Sequence, residues 1–206
     1  MIPTEVKMED LSGLEKLLPT LMLNLVFAQG DKDVGRRIAL HRRVYIRLVD
    51  KAVDEYEEAR NLIVAQIEEG QRSAEEMTRD GRYIYMFKYM FKFVDHMENC
   101  ISTVRRILRF LDLLKGNQEG LLFSRTAIKQ SESLTTPIVR VRGTVEHMDR
   151  EIHKDGVQEN EPVMLDVTDT QDGVVIGGQS LKFADLSTLI KQLHGLGQNM
   201  VAWRAA

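Results

Sequence analysis

Apolar residues return every three or four positions through most of the chain, and that period predicts helices. Tyr45, Val49, Ala52, Tyr56, Ala59, Ile63 and Ile67 form the first such series, with Asp31 and Asp33 as candidate caps before it and Gly70 as its stop. A capping-box pattern from Ser73 to Glu76 opens the next segment, and Gly81 breaks or bends it. The strongest stripe follows, with Ile84, Phe87, Phe91, Val94, Met97, Ile101, Val104, Leu108 and Leu111 running to a stop at Lys115 and Gly116. At 1.5 Å per residue this helix spans roughly 50 Å and sets the long dimension of a bundle.

Further along, Leu121 to Lys129 reads as a shorter helical piece and Ser131 to Thr136 as a loop. Thr136 and Pro137 then open a helix as cap and first residue, and Asp155 with Gly156 closes it. Beyond Gly156 the period changes. Val163 to Val167, Val174 to Ile176 and Leu181 to Phe183 are short β-type runs, separated by Asp172, Gly173, Gly177 and Gly178. Asp185 caps a last helix whose face is Leu186, Leu189, Ile190 and Leu193, stopped near Gly195 and Gly197. The expected fold is mainly α: a helical bundle with long central helices, a small C-terminal β-hairpin or meander, and a terminal helix. The bundle takes residues 1–156. Residues 157–206 form an appendage too small to hold together alone, so it packs on the bundle.

Composition narrows the functional classes. At 206 residues and 43% hydrophobic content the chain can bury a substantial core. Twenty-eight Lys and Arg stand against 31 Asp and Glu, a formal charge of -3, so no global basic field attracts nucleic acid and any such contact needs a local patch. The single cysteine, Cys100, has no partner for an internal disulfide, and a cytoplasmic location is the expectation that follows. The apolar run from Leu17 to Ala28 is short for a membrane span and contains Pro19 and Asn24; it reads as a core helix, and no membrane partner is expected.

Several enzyme classes drop out because their signatures are missing. There is no phosphate-binding glycine loop with Lys and Ser or Thr, no Gly-x-Ser-x-Gly elbow, and no paired-cysteine zinc pattern. The pair Gly177 and Gly178 is better explained by a turn than by a nucleotide site. None of the five histidines, His41, His96, His147, His153 and His194, stands four residues from another, the spacing that stacks metal ligands on one helix face. Neither a metal nor a cofactor is expected.

The segment from Ile138 to His153 carries the clearest candidate chemistry. Its apolar stripe is Ile138, Val141, Val145, Met148 and Ile152, and its polar face carries Arg142, Gly143, Glu146, His147, Arg150 and His153. Arg142 and His147 lie about 140° apart and flank Gly143, where the missing side chain lets another helix approach closely. A guanidinium clamps phosphate oxygens in a fixed fork, and an imidazole exchanges a proton near neutral pH. The run Arg142-Gly-Thr-Val-Glu-His147-Met-Asp149-Arg150, late in a bundle of long helices, resembles the HEPN superfamily with its Arg-x4 to 6-His motif. The resemblance covers roughly residues 30 to 155.

What the resemblance implies is a helical bundle that dimerises, with Arg142 and His147 as the motif positions of a metal-independent endoribonuclease of a defence or toxin-antitoxin system. Its partners would be a second copy, RNA and a cognate antitoxin or other protein. Other members are inactive binding modules. Arg36 with His41 and Arg140 with His147 also satisfy the spacing, and Gly143 stands where a polar residue is usual. Arg36, Arg37, Arg42, Arg43 and Arg47 read as a basic helix surface.

A second polar face lies on the central helix, where Tyr85, Tyr89, Lys92, His96, Asn99, Thr103 and Arg106 recur away from the apolar stripe. Aromatic and basic groups together can stack bases and hold phosphates. With Glu146 and Arg150 they complete the candidate substrate-binding set. The bland alternative is that the tyrosines finish the core or a dimer seam while Lys92 and Arg106 reach water. Likewise Arg142 with Glu146 and Glu146 with Arg150 are i, i+4 pairs, as on any solvated helix. That alternative gives a non-catalytic dimerisation or protein-interaction module.

Overall fold

The computed structural model describes residues 4–27, 36–71, 83–114, 134–159 and 161–202, with backbone alone at 25–27, 38, 83–88 and 114. Among them are five helices and one small sheet: α1 (Leu17–Phe27), α2 (Arg36–Gly70), α3 (Tyr83–Leu114), α4 (Thr135–His153), β1 (Asp166–Val167), β2 (Gly173–Ile176), β3 (Gln179–Lys182) and α5 (Phe183–Ala202). The protein is mainly helical, with a three-stranded antiparallel sheet and a C-terminal helix. No described helix is long and apolar enough to cross a membrane. The expected caps Asp31 and Asp33, the Ser73 to Glu76 box, Gly81, the stop at Lys115 and Gly116, and the Leu121 to Lys129 piece lie outside the described residues.

α2 and α3 form the central pair, 35 and 32 residues long. They run antiparallel: Glu55 meets His96, the Cys100 thiol donates to the Ala52 carbonyl, and Phe110 packs its ring against His41 and Tyr45. The α2 stripe from Tyr45 to Ile63 is buried as its spacing requires, and Ile67 is partly buried. On α3, Val94, Met97, Ile101, Val104, Leu108 and Leu111 of the expected stripe are buried, and among its described side chains only Phe91 departs from it. Phe91 is 54% exposed, and Phe93 is buried in its place, joining Met97, Cys100, Val104, Ile107 and Leu111 on the face toward the core. Two buried rows, this one and the Val94, Ile101, Leu108 row, give α3 a broad apolar face because it meets more than one neighbour.

α5 lies along α2, and its Phe183 ring stands edge-on to Phe93 of α3. Its last turn is held by Arg42, whose Nε and Nη2 donate to the Met200 carbonyl at 3.1 and 2.8 Å, while Tyr45 donates to the Leu193 carbonyl at 2.9 Å. A buried guanidinium thus serves carbonyls that the helix end leaves unpaired. α5 continues through Gly195 and Gly197 to Ala202, so the expected stop at these glycines is incorrect. Gly197 is there for packing: a Cβ would stand 2.5 Å from Leu17 Cδ1 of α1, which crosses at that point. Asp185 is likewise not the cap; the helix starts at Phe183, whose N–H is held by the Asp172 carbonyl, and Asp185 lies in the first turn.

The start of α4 also differs from expectation. Leu134 stands at the cap position with no side-chain hydrogen bond, Thr135 and Thr136 are helical rather than loop, and Pro137 is the third residue. A proline is tolerated there because first-turn N–H groups have no intrahelical partner. The helix ends as expected. Asp155 takes a left-handed φ of 51°, its N–H bonds to the Ile152 carbonyl, and the Gly156 N–H bonds to the Glu151 carbonyl, the double closure that satisfies the last carbonyls. Ile138, Val141 and Met148 are buried and Val145 partly so, but Ile152 is 50% exposed in the last turn.

The sheet is a β1-β2-β3 meander. Its first strand is shorter than the Val163 to Val167 run, because Val163 and Met164 are exposed and only Asp166 and Val167 pair with β2. Gly173 belongs to β2 rather than to the turn before it, and a Cβ there would stand 2.4 Å from the Leu181 carbonyl oxygen. Gly177 and Gly178 make the two-residue hairpin turn between paired Ile176 and Gln179, both at positive φ, 47° and 70°. This turn rests on α4: a Cβ at Gly177 would meet Thr144 and Met148. α4 is therefore held between α3 and the β2–β3 hairpin.

Candidate functional site

The outer flank of α4, the loop after it and the β2–β3 turn enclose an open cleft of about 540 Å³. Arg140, Gly143, Thr144, His147 and Glu151 come to it from the helix, and Glu161, Gly177 and Gln179 from the C-terminal part. Arg140 and His147 are seven residues apart on one helix, which places them about 20° apart in azimuth and roughly 10 Å apart along the axis. Gly143 lies between them, and nothing stands within 4 Å of where its Cβ would be. A guanidinium and an imidazole therefore flank an open stretch of backbone.

His147 is exposed, and no described residue holds its ring. Arg140 is also exposed and without a carboxylate partner among the described residues. Thr144 turns inward on its own helix, donating to the Arg140 carbonyl at 3.0 Å. The Glu151 carboxylate stands at the other end, beside Gly156, whereas Glu161, which accepts from the Gln158 N–H at 3.4 Å, lies beside Gly178 of the turn that rests on Thr144 and Met148. The cleft thus has an electropositive end at Arg140 and an acidic end at Glu151, with the imidazole between.

Arg142 is placed differently from Arg140. It does not line the cleft; its guanidinium pairs with Glu146 one turn along the helix, and its Nε is buried without an acceptor. Arg150 is exposed and also lies outside the cleft lining. The α3 candidates form a separate face. Lys92, Asn99 and Arg106 are exposed, Tyr89 is half-buried, and the His96 ring is 2.8 Å from Glu55 of α2; the Tyr85 side chain lies outside the described residues. None of those whose side chains are described lines the α4 cleft.

His147 and Gly143 are legible in the sequence as members of the polar face of this helix. Arg140 was legible as a match to the spacing, and 140, 143, 147 and 151 read as one helical stripe. Glu161, Gly177 and Gln179 arrive by tertiary packing and leave no local signal. Among the described residues no three His, Cys, Asp or Glu side chains gather as a metal site requires. Cys100 is buried, and burial pushes its thiol well above the ordinary range, which removes it as a nucleophile. Comparisons of the chain with protein-family models, with curated proteins and with solved structures return no match.

Proposed function

We propose that the protein is a HEPN-like, metal-independent endoribonuclease that works as a homodimer, in a defence or toxin-antitoxin setting, with the α4 cleft as its site. The observation that carries this reading is the shared opening of His147 and Arg140 onto a cleft left empty at Gly143. An exposed imidazole is suited to take the proton of a ribose 2′-hydroxyl as that oxygen attacks phosphorus. The P–O5′ bond then breaks, leaving a 2′,3′-cyclic phosphate, and the departing oxygen receives a proton from the His147 of the second copy. Guanidinium groups stabilise the charge that develops on the phosphoryl oxygens. Arg140 does so from within the cleft, and Arg142 joins when an incoming phosphate displaces Glu146.

The test is incubation of wild type and His147→Ala with total RNA in the presence of a chelator, with the oligomeric state of both measured by light scattering. The expected result is chelator-resistant cleavage giving cyclic phosphate ends, reduced at least 100-fold in the variant, from a folded dimer. Equal cleavage by both proteins removes His147 from the mechanism.

A second reading is favoured by the Arg142–Glu146 pair, which is what a solvated interaction helix carries. On that reading the protein is a non-catalytic dimerisation or protein-interaction module. A well-folded dimer that never cleaves RNA, while a partner protein binds the α4 face, is its signature.

A further inference from the structure

We infer that the end of the α2/α3 pair farthest from the Glu55–His96 contact binds the phosphate backbone of single-stranded RNA through an arginine collar. From Arg36 to Leu48, α2 contains no Asp or Glu, and neither does α3 from Thr103 to Leu111. These two stretches look unrelated in sequence. The antiparallel register, fixed by Ala52 against Cys100 and by His41 and Tyr45 against Phe110, brings them level with each other. Arg43 and Arg47 then stand at the height of Arg105, Arg106 and Arg109.

Arg43, Arg47, Arg106 and Arg109 are exposed and Arg105 is half-buried. Among the described residues none of the five has a carboxylate partner. The nearest acid along α2, Asp50, is buried and occupied by the N–H groups of Leu17 and Leu18. At 100° per residue, Arg47 and Arg106 emerge on the same open side of the pair, with Arg43 and Arg109 at its two margins. Like charges gathered at one end of the helix pair repel one another in the free protein. A polyanion relieves that repulsion, and it releases counterions when it binds.

All five cations are arginine, whose planar fork matches a phosphate edge to edge, whereas a bare need for charge is met equally by lysine. Val44, 39% exposed, sits between Arg43 and Arg47 and offers apolar contact for a base rather than another charge. The choice of RNA among polyanions rests on the reading of the α4 cleft as RNA-directed.

The experiment is fluorescence anisotropy with a labelled single-stranded RNA of mixed sequence, titrated with wild type across a salt series. The quadruple variant Arg43→Ala, Arg47→Ala, Arg106→Ala, Arg109→Ala is expected to bind at least about 30-fold more weakly, and its log K against log salt slope is expected to be shallower by about 2 to 3, from roughly 0.7 per phosphate contact. The four positions are exposed, so circular dichroism should match wild type; if it does not, Arg47→Lys with Arg106→Lys serves instead and is expected to keep most of the slope while losing affinity. Arg140→Ala with His147→Ala is expected to lose cleavage while making the salt slope shallower by no more than about 0.7, the share of one phosphate contact. Absence of RNA binding by wild type, binding of the quadruple variant within threefold, or binding only to phosphatidylglycerol vesicles overturns the inference. RNA binding through the collar without any cleavage leaves it standing and defeats the catalytic reading alone.

Discussion

Arg140 and Arg142 are two residues apart and satisfy the same spacing rule toward His147, yet they stand in different surroundings. An offset of seven residues returns to the same side of a helix, whereas an offset of five rotates about 140° away. That difference places Arg140 in the cleft with His147 and leaves Arg142 to pair with Glu146. On the proposed ribonuclease reading, Arg140→Ala is therefore expected to lower RNA cleavage about 100-fold, a loss of about 2.7 kcal/mol of transition-state stabilisation, without changing the melting temperature. On the same reading Arg142→Ala should lower cleavage less than tenfold and cost only the few tenths of a kcal/mol of a partly exposed i, i+4 pair. Cleavage rates and thermal melts of the two variants decide between them, and the reverse order would return the main phosphate contact to Arg142.

At the scale of elements, α1 shows how far a helix terminus can depend on a distant residue. The N–H groups of Leu17 and Leu18 are accepted by the two carboxylate oxygens of Asp50, at 3.0 and 2.8 Å, from the middle of α2. Asp50 is 8% exposed, so its removal leaves both donors in a site poorly served by water. Asp50→Ala is expected to destabilise the protein by about 2 kcal/mol in urea unfolding, and Asn, which keeps one acceptor oxygen, by about half of that. A loss below about 0.5 kcal/mol for the alanine variant would mean that water replaces the carboxylate. No local capping rule points to Asp50, because it lies 33 residues from the end it serves.

The same distinction separates what was legible in the sequence from what was not. The α2 stripe, the closure of α4 at Asp155 and Gly156, and the Gly177–Gly178 turn depend on spacing and backbone freedom within a few residues, and the sequence carries them directly. Phe91 stands exposed and Phe93 buried because the stretch from Tyr83 to Val94 is interrupted only by Lys88 and Lys92, which leaves its apolar phase poorly defined. Gly197 reads as a stop in the sequence because glycine serves chain ends and close crossings alike, and only Leu17 of α1 decides which. The candidate site follows the pattern: His147 was visible on its helix, whereas the far wall, Glu161 to Gln179, needed the hairpin to be docked.

For the molecule as a whole, residues 4–16 act as a strap across elements that are distant in sequence. Thr4 donates to Gln171 and Lys7 to the Thr170 carbonyl beside the sheet; Glu9 accepts from Lys191 and Ser187 of α5; the Leu11 N–H is held by Glu57, and Arg60 reaches the Met8 carbonyl, both from α2. Met8 and Leu11 are buried beneath these contacts. The hydrogen bonds from Lys191, then Ser187, hold the Glu9 carboxyl below its ordinary value of 4.5. Ser12 does the same for Asp10, and Thr170 and Thr168 for Asp172. Glu57 moves the other way, because burial favours its protonated form.

The sign of the pH effect follows from these directions. A carboxyl whose folded value is depressed binds fewer protons folded than unfolded, so its stabilisation is complete above the unfolded value and is lost as pH falls through the folded one. Glu9→Gln should therefore lower the melting temperature by about 1–2 °C at pH 7, the magnitude of an exposed pair screened by solvent, and the difference should shrink as pH falls below 4.5 and wild type loses the same interaction. Glu57 works against this trend, so a wild-type acid limb that is shallower than Glu9, Asp10 and Asp172 would give together is also expected. Melting curves from pH 3 to 7 check both, and a Glu9→Gln effect that persists undiminished at pH 3 would assign the strap's hold on α5 to packing of Met8 and Leu11 rather than to the charge at Glu9.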